Sequence, residues 1–186
     1  AAIETMVQRF ETDPAVKGLV ITSGKKDFLA GADLEGIRDI TTAQQAFDLS
    51  MVMKRQLRRL EKCGKPAVAV IHGMCFGGGF ELTLACHHRI AVTGARLGTP
   101  EVKLGLLPGG GGTQRLPRLI GMQAAMPLLC EGGEVKADKA LALGMVHALA
   151  PSREAAIEQA RAWCLANPKA QQPWDAPKFR YPGGDS

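Results

Sequence analysis

The chain has 186 residues, of which 46% are hydrophobic and 22% are charged, and its formal net charge is +5. This length allows one domain with a substantial core and is marginal for two, and the composition is typical of a globular protein. No window of the sequence approaches the roughly 20 apolar residues of a membrane-spanning helix, so we expect no such span within these residues.

The predicted elements of the first half alternate between helices and short strands. Residues 1–12 are predicted to form a helix with one apolar face, and residues 18–22 a short buried strand. Residues 42–62 follow as a long amphipathic helix, and residues 67–71 as a second buried strand. The apolar face of the long helix recurs at steps of three and four residues: Ala46, Leu49, Met53, Leu57 and Leu60. This alternation favours parallel strand pairing through crossovers.

The second half is predicted to continue with short elements. An apolar helix over residues 80–86 is followed by a short strand over residues 89–92. Helices are also predicted over residues 123–130, 137–143 and 152–166. The sequence contains no internal repeat, which argues against a solenoid.

The last residues lack the periodicity of a helix or a strand. We interpret residues 1–168 as a folded core and residues 169–186 as a proline-rich linker or tail.

The five cysteines are scattered and form no CxxC pair, which favours reduced thiols over a disulfide framework. Cys86, His87 and His88 are adjacent but lack a second ligand pair at a usable spacing, so we expect no metal site. No signal peptide or basic presequence is visible in these residues. We therefore expect a cytoplasmic protein of the bacterial type.

The positive charge is concentrated in three places: the helix positions Lys54, Arg55, Arg58 and Arg59, the loop pair Lys25 and Lys26, and the pair Arg115 and Arg118. One interpretation is an ordinary solvated surface, and the other is attraction of a polyanionic ligand such as a phosphorylated cofactor. Nucleic acid is a weaker alternative, because the chain has one Tyr, two Trp and no interleaving of basic and aromatic residues.

The candidate functional residues lie in two glycine-rich segments and include two glutamates. The strand over residues 67–71 leads into a glycine-rich turn that opens directly into the apolar helix containing Glu81. Glycines let the backbone approach a ligand, and the first N–H groups of a helix favour negative charge. Glu101 lies in a Gly/Pro loop just before a second glycine run at residues 109–112. Backbone N–H groups beside two carboxylates favour carbonyl polarisation combined with acid–base chemistry.

Nucleotide-binding motifs are missing from the sequence. There is no GxxxxGK(S/T) loop and no GxGxxG at a strand-to-helix junction, and Gln114 stands where the last glycine of such a motif would be. We therefore expect neither a nucleoside triphosphate site nor an NAD site within this chain.

The segment Ile71-His-Gly-x3-Gly-Gly-Gly-x-Glu81-x4-Cys86-His resembles the signature of the enoyl-CoA hydratase/isomerase (crotonase) superfamily. Three further segments resemble the family in order and spacing: Phe28 to Asp33, Gly98 to Gly105 and Leu107 to Leu116. Together these motifs cover most of the chain. The details are most similar to the N-terminal hydratase module of multifunctional fatty-acid β-oxidation enzymes, which carry a 3-hydroxyacyl-CoA dehydrogenase on the same polypeptide.

The resemblance implies an α/β fold with a crotonase-like (ClpP/crotonase) core of repeated ββα units arranged as a spiral. It also implies that the chain is truncated at its N-terminus and lacks the C-terminal helices of a complete domain. The substrate would be an acyl-CoA thioester, with coenzyme A as part of the substrate and no separate cofactor. The expected partners are further copies of the chain, in a homo-oligomer, or a larger β-oxidation complex.

The resemblance also assigns the reacting groups. Glu81 and Glu101 would be the catalytic carboxyl groups that bracket one water, with a shared proton because two adjacent carboxylates do not easily both ionise. The backbone N–H groups of Ala32 and Gly78 would form an oxyanion hole for the thioester oxygen. The N–H of Gly109 would help to position the water.

Two binding regions follow from the same resemblance. The coenzyme A moiety would lie along a loop whose contact residues are Lys25, Lys26, Phe28, Ala30, Asp33 and Leu34. The acyl chain would be lined by Phe76, Leu104 and Leu107. We interpret the four histidines as structural, since no Ser-His-Asp order is present.

Three functions remain open at this point. The first is enoyl-CoA hydratase, which uses both glutamates. The second is Δ3–Δ2 enoyl-CoA isomerase, which needs only one carboxylate to move a proton. The third is a non-catalytic acyl-CoA or RNA-binding module of the same fold, which the positive charge would suit.

Overall fold

A computed structural model describes residues 2–30 and 39–184 of the chain. Its strands, in chain order, are β1 (Leu19–Ile21), β2 (Leu29–Ala30), β3 (Ala67–Ile71), β4 (Met74–Phe76), β5 (His88–Val92), β6 (Arg96–Gly98), β7 (Glu134–Lys136) and β8 (Ala148–Ala150). Its α-helices are α1 (Ala2–Thr12), α2 (Ala43–Lys62), α3 (Gly78–Leu84), α4 (Gly112–Ile120), α5 (Met122–Glu131), α6 (Ala137–Ala142) and α7 (Arg153–Ala166).

The described strands form two four-stranded sheets. The first has the order β1-β3-β5-β8 and is parallel throughout, and the second has the order β2-β4-β6-β7 with β7 antiparallel at its edge. Consecutive strands such as β3 and β4 lie in different sheets, and each such pair stacks on the pair before it. The predicted core of repeated ββα units is therefore confirmed.

Strand β3 is the centre of the first sheet and is buried along its whole length, as predicted. Its odd-numbered residues, such as Ala69 and Ile71, face the main core of the molecule. Its even-numbered residues, Val68 and Val70, face a second core formed with α7. Because successive side chains of a strand point to opposite faces, burial on both faces requires an uninterrupted apolar run. Strand β1, predicted to be buried, is only half-buried.

Helix α2 has the predicted bounds, and a capping box between Thr42 and Gln45 fixes its start. Its predicted apolar face is buried only in the C-terminal half, where Leu57 and Leu60 have no exposed surface. Leu49, on the same predicted face, is 52% exposed. The periodicity identified residues that share a face, but it could not show how far the neighbouring elements extend along the helix.

Part of the predicted linker packs on the core. Gln172 is 1% exposed, and its Nε2 donates to the carbonyl oxygens of Ala85 and Cys86 at 3.0 and 3.1 Å. Asp175 accepts from both terminal nitrogens of Arg58 on α2, at 2.9 and 2.5 Å. At these positions the predicted linker or tail contacts the core.

The helices of the structure also bear on whether the chain could cross a membrane. In the part of the chain that the structure describes, no helix combines the length and the hydrophobicity that a transmembrane segment requires.

Candidate active site

The glycine turn before α3 brings this helix close to the second sheet. The N–H of Gly77 donates to the carbonyl of Gly98 on β6 at 3.0 Å, and Gly77 has a positive φ of 56°. A Cβ at Gly79 would lie 2.5 Å from the carbonyl oxygen of Leu29, so only glycine allows this approach. Gly78 is the first residue of α3, and the first N–H groups of a helix have no acceptor within it. This places the N–H of Gly78 at a helix N-terminus, as predicted.

Glu81 lies one turn into α3 and is 2% exposed. Its Oε2 accepts from the N–H of Gly110 at 2.8 Å, and its Oε1 accepts from the N–H of Gly112 at 2.6 Å. The second glycine run therefore holds both oxygens of this carboxyl group. A Cβ at Gly110 would lie 2.7 Å from Oε2, so the close approach requires glycine at this position.

Glu101 lies in a short 3-10 helix, Pro100–Leu104, that follows β6. The hydroxyl of Thr99 anchors the start of this turn by donating to the carbonyl of Leu128 on α5 at 2.8 Å. One carboxyl oxygen of Glu101, Oε2, is buried and has no hydrogen-bond partner among residues 2–30 and 39–184. A buried oxygen without a donor is costly unless the group is protonated or binds a ligand.

The pKa values of both carboxyl groups are raised, and burial is the main cause in each case. For Glu81 the N–H donors of Gly112 and Gly110 and the charge of Arg115 oppose the effect of burial on the pKa. For Glu101 the negative charge of Glu81 raises the pKa further. The two groups therefore interact electrostatically, and they differ in that Glu81 accepts from backbone N–H donors whereas Oε2 of Glu101 has no donor among the described residues.

The loop over residues 109–112 joins α2 to this site. Ser50 of α2 donates its hydroxyl to the carbonyl of Gly109 at 2.8 Å. The methyl carbon of Met53 lies 3.4 Å from the Cβ position of Gly78 and 3.0 Å from that of Gly110. The structure thus brings together Gly78, Glu81 and the second glycine run, which are separated in sequence.

The predicted coenzyme A loop is described only in part. Lys25 and Lys26 are exposed, whereas the ring of Phe28 is 5% exposed and belongs to the main core. Ala30 ends β2 and pairs with Phe76 of β4. Ala32, Asp33 and Leu34 lie outside the described residues.

The residues predicted to line the acyl chain differ in exposure. Phe76 is half-buried beside the glycine turn, whereas Leu104 and Leu107 are 60% and 76% exposed.

Two of the basic clusters contain arginines that form ion pairs, which a purely solvated surface would not require. Arg58 and Arg59 form ion pairs with Asp175 and Glu11, whereas Lys54 and Arg55 are exposed. Arg115 is 7% exposed and pairs with Glu61 of α2, Nε to Oε1, at 2.6 Å. The sequence predicted neither Glu61 nor Arg115 as a site residue, and it indicated Arg115 only as one of the basic residues and as part of the segment from Leu107 to Leu116.

Three of the four histidines make backbone hydrogen bonds that fit the predicted structural role, and the Nε2 of His72 bonds the carbonyl of Lys25 at 3.0 Å. His87 Nδ1 accepts from the N–H of Ala67 at 3.1 Å, and its Nε2 bonds the carbonyl of Glu61 at 3.0 Å. His147 Nδ1 accepts from the N–H of Arg89 at 3.1 Å.

Comparison with known proteins gives consistent relatives. Residues 3–172 match the family model described as enoyl-CoA hydratase/isomerase. The chain is 44% identical over 181 residues to the fatty acid oxidation complex subunit alpha of Shewanella amazonensis, covering 94% of this chain and 25% of that protein. The corresponding subunit of Shewanella putrefaciens is 43% identical over 177 residues, covering 92% of this chain and 24% of that protein. The chain spans about a quarter of the length of these curated relatives.

Solved structures give the same result for the fold. The crystal structure of enoyl-CoA hydratase from Bacillus anthracis is 31% identical, with a TM-score of 0.81 over 89% of this chain and 64% of that one. The enoyl-CoA hydratase from Thermoplasma volcanium is 30% identical, with a TM-score of 0.81 over 88% of this chain and 66% of that one. The architecture of stacked ββα units is thus the crotonase-type α/β fold. The chain belongs to the enoyl-CoA hydratase/isomerase family.

Proposed function

We propose that the chain is an enoyl-CoA hydratase module that adds water in a syn sense to 2-enoyl-CoA and forms 3-hydroxyacyl-CoA. The observation that carries this proposal is the pair of Glu81 and Glu101: burial raises both pKa values, but N–H donors hold both oxygens of Glu81 whereas Oε2 of Glu101 has no donor among the described residues. Addition of water needs one group that accepts a proton and one that donates it.

The proton transfers follow from the two environments. Glu81, held by two N–H donors, is ionised and accepts a proton from the water as its oxygen bonds to C3. Glu101 is protonated and donates its proton to C2. The proton on Glu81 returns to Glu101 before the next turnover, so that the net change is one water added to the double bond.

The negative charge that develops on the thioester oxygen needs a donor. The N–H of Gly78 at the start of α3 is directed outward from the helix N-terminus, where negative charge is favoured. One donor of an oxyanion hole typically contributes about 10²–10³ in rate. The N–H of Ala32 stays a predicted second donor, and the N–H of Gly109 a predicted contact of the water.

The rest of the substrate is assigned by similarity. Lys25 and Lys26 are exposed cations that suit the phosphates of coenzyme A, and the reaction requires no further cofactor. Because relatives are named as subunit alpha of the fatty acid oxidation complex, we place the reaction in fatty-acid β-oxidation. We also propose that a 3-hydroxyacyl-CoA dehydrogenase on the same polypeptide consumes the product, within a homo-oligomer or a larger complex.

A second candidate is Δ3–Δ2 enoyl-CoA isomerase. The observation that favours it is that the N–H groups of Gly110 and Gly112 fix both oxygens of Glu81, so that one rigid carboxylate is available to move a proton. Glu101→Gln assayed on 2-enoyl and 3-enoyl substrates separates the two activities. A hydratase loses turnover of the 2-enoyl substrate, whereas an isomerase that uses Glu81 alone retains turnover of the 3-enoyl substrate.

The first experiment follows the ultraviolet absorbance of the enoyl thioester after the purified chain is added to crotonyl-CoA. Absorbance should fall with the wild type and not with Glu101→Gln, whose folding is checked by circular dichroism. A folded wild type without turnover would contradict the proposal for this chain. Hydration that persists in the variant would contradict the paired-carboxyl mechanism.

A further inference from the structure

Arg115 lies directly beneath the glycine loop that holds Glu81. The Nη1 of Arg115 donates to the carbonyl of Gly110 at 2.8 Å. The backbone N–H of Gly110 donates in turn to Oε2 of Glu81, also at 2.8 Å. Gly110 is therefore held from both sides, by a guanidinium at its carbonyl and by a carboxylate at its N–H. A Cβ at Gly111 would lie 2.4 Å from Nη1, which shows how closely the guanidinium approaches the loop.

Arg115 is itself fixed by Glu61 of α2. The Nε donates to Oε1 at 2.6 Å and Nη2 donates to Oε2 at 3.2 Å, so the contact is bidentate. Glu61 is 2% exposed and also accepts from Arg58 at 3.0 Å. The planar guanidinium fork can hold a carboxylate and a carbonyl at the same time.

A buried ion pair is weak grounds for a role in stability alone, because the cost of desolvating two charges often cancels their attraction. The glycine loop, however, has no side chains with which to fix its own conformation, and Gly111 adopts a positive φ of 107°. The pair of Glu61 and Arg115 supplies the missing contact at the point where the loop meets Glu81.

We propose that Arg115, held by Glu61, is a positioning residue that fixes the loop over residues 109–112 so that its N–H groups orient the Glu81 carboxylate for reaction. The expected effect on turnover rests on the proposed function. The expected effect on the conformation of the loop does not depend on the proposed function.

Charge and geometry can be separated at this position. Among the described residues, the charge of Arg115 lowers the pKa of Glu81 against the effect of burial, and Glu81 in turn raises the pKa of Glu101. Arg115→Lys keeps the positive charge, but a single ammonium cannot reproduce the fork that contacts both Glu61 and Gly110. Arg115→Gln removes the charge as well.

The kinetic test uses crotonyl-CoA hydration across a range of pH. For Arg115→Lys we expect kcat to fall about 10- to 100-fold with little change in KM, because the reacting carboxylate is misplaced while the substrate still binds. The acid limb of its kcat profile should stay near that of the wild type. In Arg115→Gln the acid limb should move to higher pH, because loss of the positive charge raises the pKa of the group that must be ionised. The control is Arg118→Gln on the same helix, which should keep the wild-type kcat because Arg118 donates to Gln114 and lies over the ring of Tyr181 rather than contacting the glycine loop.

The structural test uses the backbone amide NMR resonances of Gly110 and Gly112, which report their hydrogen bonds to Glu81 without any need for turnover. We expect both resonances to move in Arg115→Lys and to stay in place in Arg118→Gln. If Arg115→Lys does not fold, Glu61→Gln keeps the shape of the partner and serves for both readouts. If the resonances move in Arg115→Lys but the wild type has no hydratase activity, the role of Arg115 in fixing the loop stands and the proposed function is rejected. Unmoved resonances, with or without a loss of kcat, would overturn the role of Arg115.

Discussion

The two ends of α3 differ in how far their backbone groups are paired. At the N-terminal end the glycine turn leaves the first N–H groups without an acceptor in the helix, and Glu81 follows one turn later. The nearby Glu101 keeps one buried oxygen that has no hydrogen-bond partner among the described residues. This end of the helix therefore has hydrogen-bonding capacity in reserve for a substrate.

At the C-terminal end the carbonyl groups of Thr83, Ala85 and Cys86 are saturated by side-chain donors. Arg89 is 1% exposed and donates to the carbonyls of Thr83 and Cys86 at 3.1 and 2.6 Å. Gln172 adds donors to the carbonyls of Ala85 and Cys86. Positive charge near a helix C-terminus is also favoured by the helix dipole. The paired polar groups at the C-terminal end therefore stabilise the fold, whereas the unpaired groups at the N-terminal end are available for chemistry.

The largest effect is expected at the N-terminal end, from Glu81→Gln. Both hydration of a 2-enoyl substrate and isomerisation of a 3-enoyl substrate should fall by about 10³–10⁴, because this carboxylate moves the proton in either reaction and an amide cannot. Turnover of both substrates is measured by absorbance, with circular dichroism as the folding control. Retention of either activity at the wild-type level would break the assignment of Glu81 as the base.

At the C-terminal end of α3 the expected effect is a loss of stability, from Arg89→Met. The buried carbonyls of Thr83, Cys86 and Met145 would lose the hydrogen bonds that Arg89 donates, so the free energy of unfolding should fall by about 3 kcal/mol. Urea denaturation measures this loss. Arg96→Met is the matched control, because the pair of Arg96 and Glu134 is exposed and should contribute less than about 1 kcal/mol. Equal losses in the two variants would contradict the saturated end as a source of stability.

Acidification should weaken the region beside Arg89. Burial lowers the pKa of His88 to about 4, and burial together with the charge of Arg89 lowers the pKa of His147 to about 3. In the unfolded chain histidine titrates near pH 6.5, so between about pH 6.5 and pH 4 the unfolded state binds more protons than the folded state. The urea midpoint should therefore fall as the pH is lowered through this range.

A control separates the histidines from the carboxyl groups. The raised pKa values of Glu81 and Glu101 act in the opposite sense, because the folded state binds protons to them more readily than the unfolded state does. His88→Phe retains an aromatic ring in the stack between His147 and Trp163 but cannot titrate. Its urea midpoint should depend less steeply on pH than that of the wild type. An unchanged slope would show that His88 is not a source of the acid sensitivity.

Local patterns predicted several of the helices and the central strand well. Apolar periodicity gave α1, α2, α5 and α7 close to their observed bounds, and the uninterrupted apolar run gave the buried strand β3. The glycine turn indicated that Glu81 would follow a helix N-terminus beside a backbone that a ligand can approach. These features depend on residues that are neighbours in sequence.

The buried charged residues could not be predicted in the same way. Arg115 was interpreted as part of a basic surface or an anion site, yet its partner Glu61 lies 54 positions away. The bonds from Gln172 to Ala85 and Cys86 join residues 87 and 86 positions apart. A charged or amide side chain is mostly exposed on average, so only the tertiary structure shows which one has buried partners. The surroundings of Glu81 were therefore less predictable than Glu81 itself.

The smallest effect is expected from Gln172→Ala, which tests whether the tail contributes to the saturated end of α3. The variant loses two donated hydrogen bonds, but it also removes Oε1, a buried oxygen that has no partner in the described chain. These changes oppose each other, so the free energy of unfolding should fall by only about 1–2 kcal/mol. Gln171→Ala is the matched control, because Gln171 is exposed and donates only to the carbonyl of the nearby Asp175. The hydration kcat should be the same in both variants, because the contacts of Gln172 lie at the end of α3 opposite to Glu81. A loss of kcat without a loss of stability in Gln172→Ala would show that the two ends of the helix are coupled rather than separate.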